Sequence, residues 1–327
     1  MTVRHASTGR PTWSGWAGTF RPEPVGLVLG YLLDRVLADP RRGHPVAGIG
    51  NIAAALERRT YADSRAAGLA HCATCVAAAG AAGMLSVRPF ADRRPGRIAV
   101  TAAVTWAVLG GTTLMGVGGS VARRLDADDV SGARELVPSL CGRDPNVLDE
   151  AGICRAAVES VAENTSDAAV GPLVWGALAG VPGLLIYRTA NTLDAMIGHR
   201  TTRYARFGWA AARFDDALNL LPARLAGLVV VAVGPDRRGA LRAWRADASA
   251  HPSPNAGVVE ASFAGALGVR LGGVTVYPHR TENRPALGRG RPPATTDLRA
   301  ALRLSRRVQI GALAASVVLA WLRSRRM

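Results

Sequence analysis

Glu159-Ser160-Val161-Ala162-Glu163-Asn164-Thr165-Ser166-Asp167 leads straight into twenty uncharged residues, Ala168 to Tyr187. The chain then emerges through Asn191, Asp194, Arg200, Arg203, Arg206, Arg213, Asp215, Asp216, Asn219 and Arg224. A soluble domain has no need of so long a charge-free run. A purely structural membrane segment has no need of so many acids beside one. Ionisable groups next to bilayer-length segments are costly and mark a substrate path or a reaction centre. The stretch therefore predicts a membrane-embedded site for a polar, anionic substrate.

Other runs support the membrane reading. Ile98 to Ala122 is uncharged and flanked by Arg97 and Arg123, and Ala66 to Val87 carries His71 as its one basic side chain. About twenty apolar residues at roughly 1.5 Å each cross a hydrocarbon core of about 30 Å. Ala168–Tyr187, Ala217–Pro235 and the shorter Val308–Leu322 complete about five membrane segments, and Val25–Leu37, with Asp34, reads as a half-buried first helix. The fold class is all-α, a polytopic membrane bundle. Small residues let such helices approach closely, and Gly176-x-x-x-Gly180 has that spacing, although a Gly-rich chain yields it by accident as well. One membrane-embedded domain, 25–322, is expected between a disordered extension (1–24) and a basic tail (323–327). A flexible connector rich in Arg and Pro (277–296) precedes the last helix.

The net charge is +16, and all forty basic residues are Arg; there is no Lys. This excludes a Walker A lysine and a Schiff-base lysine. The arginines cluster at the ends of apolar runs with no interleaved aromatics, which argues for membrane orientation and against nucleic-acid binding. Simple threading places 39–65, 123–167 and 236–307, with 23 Arg, on one side; 88–97, 188–216 and 323–327, with 12, lie on the other. The first side is then cytoplasmic, in a multi-pass protein of the plasma membrane. Threading also separates 188–216 from the other polar clusters, which one active site needs together. Either two apolar segments span while 188–216 dips into a cavity, or Ala168–Tyr187 re-enters at Gly180-Val181-Pro182-Gly183 and Ala217–Pro235 at Pro222. Irregular membrane backbone lines protein-buried cavities, which favours re-entry. Cys72 and Cys75 lack a second pair for zinc, and Cys141 and Cys154 are expected as reduced thiols.

Four polar clusters are candidates for chemistry. Asp34, Asp39-Pro40 and His44-Pro45 form a turn after the first helix, or simply its cap. Glu159, Glu163 and Asp167 are spaced by four, which stacks their charges on one helical face and calls for an opposing cation, Mg²⁺ or Arg. Asn191, Asp194, Arg203, Arg213, Asp215 and Asp216 come next, with Arg suited to phosphate or carboxylate. Arg200 and Arg206 suit an interfacial belt instead. His251-Pro252-Ser253-Pro254-Asn255-Ala256-Gly257, followed by Glu260, is a rigid turn that presents Ser253 and Asn255.

Taken together these motifs resemble the CobD/CbiB family of cobalamin biosynthesis, the membrane-bound adenosylcobinamide-phosphate synthases. The matching residues are Asp34-x4-Asp39-Pro40, His44-Pro45, Glu159-Ser160-x-x-Glu163-Asn164-Thr165-x-Asp167 and Asn191-Thr192-Leu193-Asp194. Tyr204-x-x-Phe207-Gly208, Ala212-Arg213-x-Asp215-Asp216-x-x-Asn219, Pro222-Ala223-Arg224, the His251–Gly257 turn and Leu271-Gly272-Gly273 continue the match. The chain departs from the family at Ala195, where Ser is usual, at Arg200, where Lys is usual, and in its short first helix. The resemblance implies ATP-dependent ligation of the propionate of adenosylcobyric acid to aminopropanol or its O-phosphate. On that implication Glu163 and Asp167 hold Mg²⁺, and Arg213 and Arg224 meet phosphate or propionate. Arg203, Asn191, Ser253 and Asn255 assist binding, and Asp215 or His44 is the base, with Glu159 and Asp194 in the catalytic set. The partners implied are the corrinoid, the amine, the lipid bilayer and other membrane-bound late enzymes of the pathway. Two other readings compete with this one. An AmpE-like sensor would show no dependence on ATP or Glu163, and a transporter would move substrate without changing it.

Overall fold

A computed structural model describes residues 22–40, 44–199, 201–277 and 280–325. The expected extension falls outside these residues up to residue 21, and Pro22 already opens the first helix. The helices run α1 (Pro22–Leu37), α2 (Pro45–Thr60), α3 (Arg65–Val87), α4 (Arg94–Val108), α5 (Gly111–Asp126), α6 (Val130–Leu136) and α7 (Glu150–Thr165). A π-helical turn, Ser166–Val170, then leads into α8 (Gly171–Ile197). After it come α9 (Tyr204–Phe207), α10 (Trp209–Val233), α11 (Arg237–Asp247), α12 (Ala256–Leu267) and α13 (Thr295–Arg325). Strands β1 (Leu271–Tyr277) and β2 (Arg280–Leu287) form one antiparallel hairpin. Four helical stretches among the described residues are long and apolar enough to cross a membrane: 65–90, 94–126, 150–197 and 209–233. Helical membrane architecture is as the sequence indicates.

The course of three of these stretches differs from simple threading. Gly180 in α8 sits at φ 64°, ψ −149°, a conformation open to glycine, and the helix doubles back there. Gly171 packs on the Tyr187 ring, Gly176 on Leu184, and Gly183 on the Trp175 carbonyl. In a straight helix residues 171 and 187 would stand about 24 Å apart. Ala168–Tyr187 is therefore a re-entrant hairpin with arms 171–179 and 181–197. The Gly176/Gly180 spacing serves this hairpin, since Gly176 meets Leu27 and Leu184 and Gly180 makes the turn.

The hairpin tip defines one end of the molecule. Gly83, near the end of α3, packs on Pro182, and Arg323, near the end of α13, donates to the Leu178 carbonyl. The charged residues that precede these apolar runs, Arg65 and Arg307, lie at the opposite end, here called the site end. α10 is one unbroken helix through Pro222, and both its ends sit at the site end. The Arg65 guanidinium stacks 5.3 Å above the Trp209 ring, and Arg307 donates to the Val233 carbonyl at 3.4 Å. α10 thus lies across the bundle, neither spanning it nor breaking at Pro222, an arrangement outside both options drawn from the sequence. The Ile98–Ala122 run is also two helices, bent at Leu109 and Gly110. α1 runs parallel to α4, with Gly26 on Thr101 and Gly30 on Thr105.

As a result 188–216 joins 39–65, 123–167 and 236–307 at the site end. Among the described residues of these segments the Arg balance between the ends is 25 against 6, sharper than the threaded 23 against 12. The expected connector also takes on structure, because the β-branched run Val274-Thr275-Val276 pairs with Thr281, Glu282 and Asn283.

The re-entrant course is open to a labelling test. In a protein without its four native cysteines, cysteines placed at Thr201 and Asp128 should react with an impermeant reagent from the same side, and one at Asp92 from the other. Labelling of Thr201 together with Asp92 would rule out the re-entrant hairpin. A second test concerns Trp175, whose Nε1 donates at 2.9 Å to the Leu218 carbonyl that Pro222 leaves without its helical partner. Trp175→Phe should cost about 1–3 kcal/mol in thermal unfolding in detergent. In a Pro222→Ala background, which restores the N–H, the cost should shrink.

Candidate active site

Four elements converge at the site end on a cavity of about 150 Å³. α7 brings Glu163, the π turn Ser166 and Asp167, the second arm of α8 Asp194, and α10 Asp215, Asp216 and Asn219. The turn before α12 adds Ser253 and Asn255. Five carboxylates line this space, and no Arg or His stands among the lining residues. A second cavity, a cleft of about 640 Å³, shares Glu163, Ala212, Asp216 and Ser253 with the first. Its walls carry Arg213, Arg280 and Arg284 together with the aromatic side chains Tyr204, Trp209 and Tyr277. A small acidic chamber thus adjoins a larger cleft where three arginines and three acids, Glu163, Asp216 and Glu282, stand among aromatic side chains.

The local chemistry explains how each acid is held. Pro172 has no N–H for the Ala168 carbonyl, so that carbonyl accepts from Gly110 N at 3.0 Å, which pins the π turn at the helix bend. π turns insert an extra residue and often accompany functional sites. Tyr187 donates to Asn219 Oδ1 at 2.7 Å, and Asn219 Nδ2 donates to Asp215 Oδ2 at 2.9 Å. The other oxygen of Asp215, Oδ1, is buried and has no hydrogen-bond partner within the protein. Ser253 Oγ accepts from Asn255 N and Ala256 N and caps α12. Asn255 is clamped between the Asp216 carbonyl at 2.7 Å and Arg224 Nη1 at 2.6 Å.

The residues expected from sequence divide into two groups. Glu163, Asp167, Asp194, Asp215, Ser253 and Asn255 line the acidic cavity, Arg213 lines the cleft, and Asn191, which accepts from Arg188 Nη1 at 3.5 Å, stands near Asp215. The others lie elsewhere. Glu159 is buried one turn back, where it accepts from Arg143 and from Gly272 N at 2.7 Å, so it holds the β-hairpin to α7. His44 caps α2 and stands 3.3 Å from Asp39, outside both cavities. Arg203 is bound to Glu57 at 2.8 Å and lies 3.9 Å over the Tyr61 ring, which fastens α9 to α2. Arg224 does not meet Arg213 around one ligand. It turns instead to Asn255 and into a groove with Val174, Leu221 and Leu228. Arg200 lies outside the described residues.

Sequence reasoning named His251 and Glu260 with their turn but passed over Arg284, which meets them at the cleft wall. Arg284 Nη2 donates to His251 Nε2 at 2.7 Å, and Glu260 stands 3.5 Å from the same nitrogen. Burial and the neighbouring Arg284 push the His251 imidazole down to about 4, while burial and Glu163 push the Glu260 carboxyl up to about 8. Both directions favour the uncharged forms, which suits a buried pair. The Val274–Tyr277 run was the signal for the hairpin that carries Arg284.

Among the described residues no three His, Cys, Asp or Glu side chains converge as a protein-only metal cage would. The acidic cavity fits a different kind of cation site. Five carboxylates without a lining base, one of them with an unsatisfied buried oxygen, suit an ion that keeps waters and shares ligand phosphates, as Mg²⁺ does.

The sequence profile of the CobD/Cbib protein family matches residues 27–305. The chain is 54% identical over 315 residues to the cobalamin biosynthesis protein CobD of Mycobacterium tuberculosis (strain CDC 1551 / Oshkosh), covering 94% of this chain and 99% of that one. It is 43% identical over 274 residues to CobD of Rhodobacter capsulatus (83% and 87%) and 42% over 286 residues to CobD of Chromobacterium violaceum (86% and 91%). No solved structure matches it. Profile and relatives cover the same motifs that line the two cavities, and the chain belongs to the CobD/CbiB family.

Proposed function

We propose that the protein acts in cobalamin biosynthesis as an ATP-dependent amide ligase, joining adenosylcobyric acid to aminopropanol or its O-phosphate. The observation that carries this reading is the pair of connected cavities. The 640 Å³ cleft, with aromatic walls and arginines, suits part of a large amphiphilic corrinoid and its propionate. The 150 Å³ acidic chamber suits a small amine cation and Mg²⁺. The CobD relatives are named for cobalamin biosynthesis, which favours this reading over the sensor and the transporter.

A carboxylate is a poor electrophile because its charge repels nucleophiles and it has no good leaving group. In the proposed reaction the propionate oxygen takes the terminal phosphoryl group of ATP and ADP leaves. The bound ammonium gives one proton to a base; its nitrogen then attacks the acyl carbon, phosphate departs, and the second proton lost from nitrogen leaves with the phosphate. Asp215 is favoured over His44 as that base, since its free Oδ1 is buried at the acidic chamber, whereas His44 is committed to Asp39 and the start of α2. Asp194 lies across the same chamber and helps hold the ammonium. Glu163 and Asp167 would hold Mg²⁺, which supplies charge neutralisation for the phosphoryl oxygens. Arg213, at the rim and 3.2 Å from Asp216, is placed for the propionate. Asn255 and Ser253 shape the wall, and Arg224 orients them. The Arg excess at the site end supports a plasma-membrane protein with this site facing the cytoplasm.

The decisive assay is product formation from adenosylcobyric acid, ATP and each amine by the purified protein in detergent. Glu163→Gln should abolish Mg²⁺-dependent ligation while the protein stays folded and membrane-inserted. Near-normal turnover would remove Glu163 from the metal set. Arg213→Lys should fall by roughly 30-fold or more in kcat/KM, because an ammonium cannot reproduce the two-point fork. Arg203→Lys, a residue that lines neither cavity, should stay within about threefold.

A further inference from the structure

Resting on the ATP-dependent reading, we infer that Arg284 is the cation that holds a phosphate group where the acidic chamber meets the cleft. Without Lys, the permanent positive charges in the cleft lining are its arginines, which stand beside His199 and His251. Its three arginines differ sharply. Arg213 is 57% exposed and paired with Asp216, and Arg280 is 43% exposed and 2.9 Å from Glu282. The Arg284 side chain is 17% exposed. A charge-assisted contact gains most where water is excluded, so Arg284 is the strongest anion site of the three.

Its neighbours leave it available. Glu159, 3.8 Å away, is already engaged by Arg143 and the Gly272 amide. Among the described residues the Arg284 guanidinium makes one hydrogen bond, to His251 Nε2, out of its five N–H donors. Glu163 lines both cavities, and Arg284 shares the cleft wall with it. A cation held at Glu163 and the guanidinium of Arg284 would thus flank the same phosphate oxygens.

The mounting is rigid as well. A bulge at Gly272 and Gly273, both at positive φ, shifts the register of the hairpin and leaves the Gly272 amide to Glu159. Arg155 binds the carbonyls of Gly272 and Val274 from α7. A site on such a braced strand is held more closely than one on a loop.

The phosphate could belong to ATP or to the O-phosphate of aminopropanol, and binding measurements separate the two. The full-length protein in detergent with Mg²⁺ would be titrated with a β,γ-imido analogue of ATP and, separately, with aminopropanol O-phosphate. Arg284→Gln should weaken one of the two by about 30-fold or more, and the affected arm identifies the source. Arg284→Lys, which keeps the charge, should lose roughly tenfold in the same arm and decides the matter if the Gln variant does not fold. Arg88→Gln, exposed at the opposite end of the molecule, should bind within about threefold of wild type in that arm. Wild-type affinity of the folded Gln variant, or of the Lys variant, for both ligands would overturn the inference alone. Failure of the wild type to bind either ligand would overturn the ATP-dependent reading with it.

Discussion

A proline inside a helix leaves the carbonyl four residues back without its donor, and in an apolar layer no water replaces it. This chain meets that constraint three times around one hairpin, each time with a donor from another part of the structure. Ala168, orphaned by Pro172, takes the amide of Gly110 at the bend between α4 and α5. Leu178, orphaned by Pro182, takes the guanidinium of Arg323 at the end of α13. Leu218, orphaned by Pro222, takes the indole of Trp175 from the first arm of the hairpin. These three bonds join α4, α8, α10 and α13, two of them close to the acids and the one to Leu178 at the hairpin tip. The helix interruptions and the site are consequences of the same backbone requirement.

The electrostatics build outward from that frame. Re-entry lets α8 leave and return at the same end, so Asp167 and Asp194 can face one space although twenty-six residues separate them. α10 lies across that end and adds Asp215 and Asp216. Positive charge is kept in the neighbouring cleft, on α10 and the β-hairpin. Buried acids repel one another unless a cation enters, and the adjoining arginines favour an anion next to it. That division suits a reaction that brings an amine, a metal ion and phosphate to one carboxylate.

Several residues with the character of catalytic groups serve the frame instead. Glu159 binds Arg143 and the hairpin amide, Arg203 ties α9 to α2, and Arg224 braces Asn255. Each is polar, lies within or beside a family motif, and acts at a remove from the cavity. Their loss would disturb the cavities through position, whereas Glu163 and Arg213 line them directly.

The sequence by itself determined the helical membrane class, the apolar runs, and most residues of the acidic chamber, because long charge-free runs and clustered carboxylates each carry a large energetic signal over a short window. It also pointed to Gly180-Val181-Pro182-Gly183 as a place where a helix could turn back. Only the tertiary structure decided that α8 does turn there while α10 stays whole at Pro222. Proline frees a carbonyl in both, but the outcome depends on the distant donor that reaches it, and Gly180 alone supplies the left-handed residue a reversal needs. Arg284 was illegible for a related reason. In an Arg- and Pro-rich segment nothing local marks one arginine as buried, and its partners His251 and Glu159 come from elements 33 and 125 residues away in the chain.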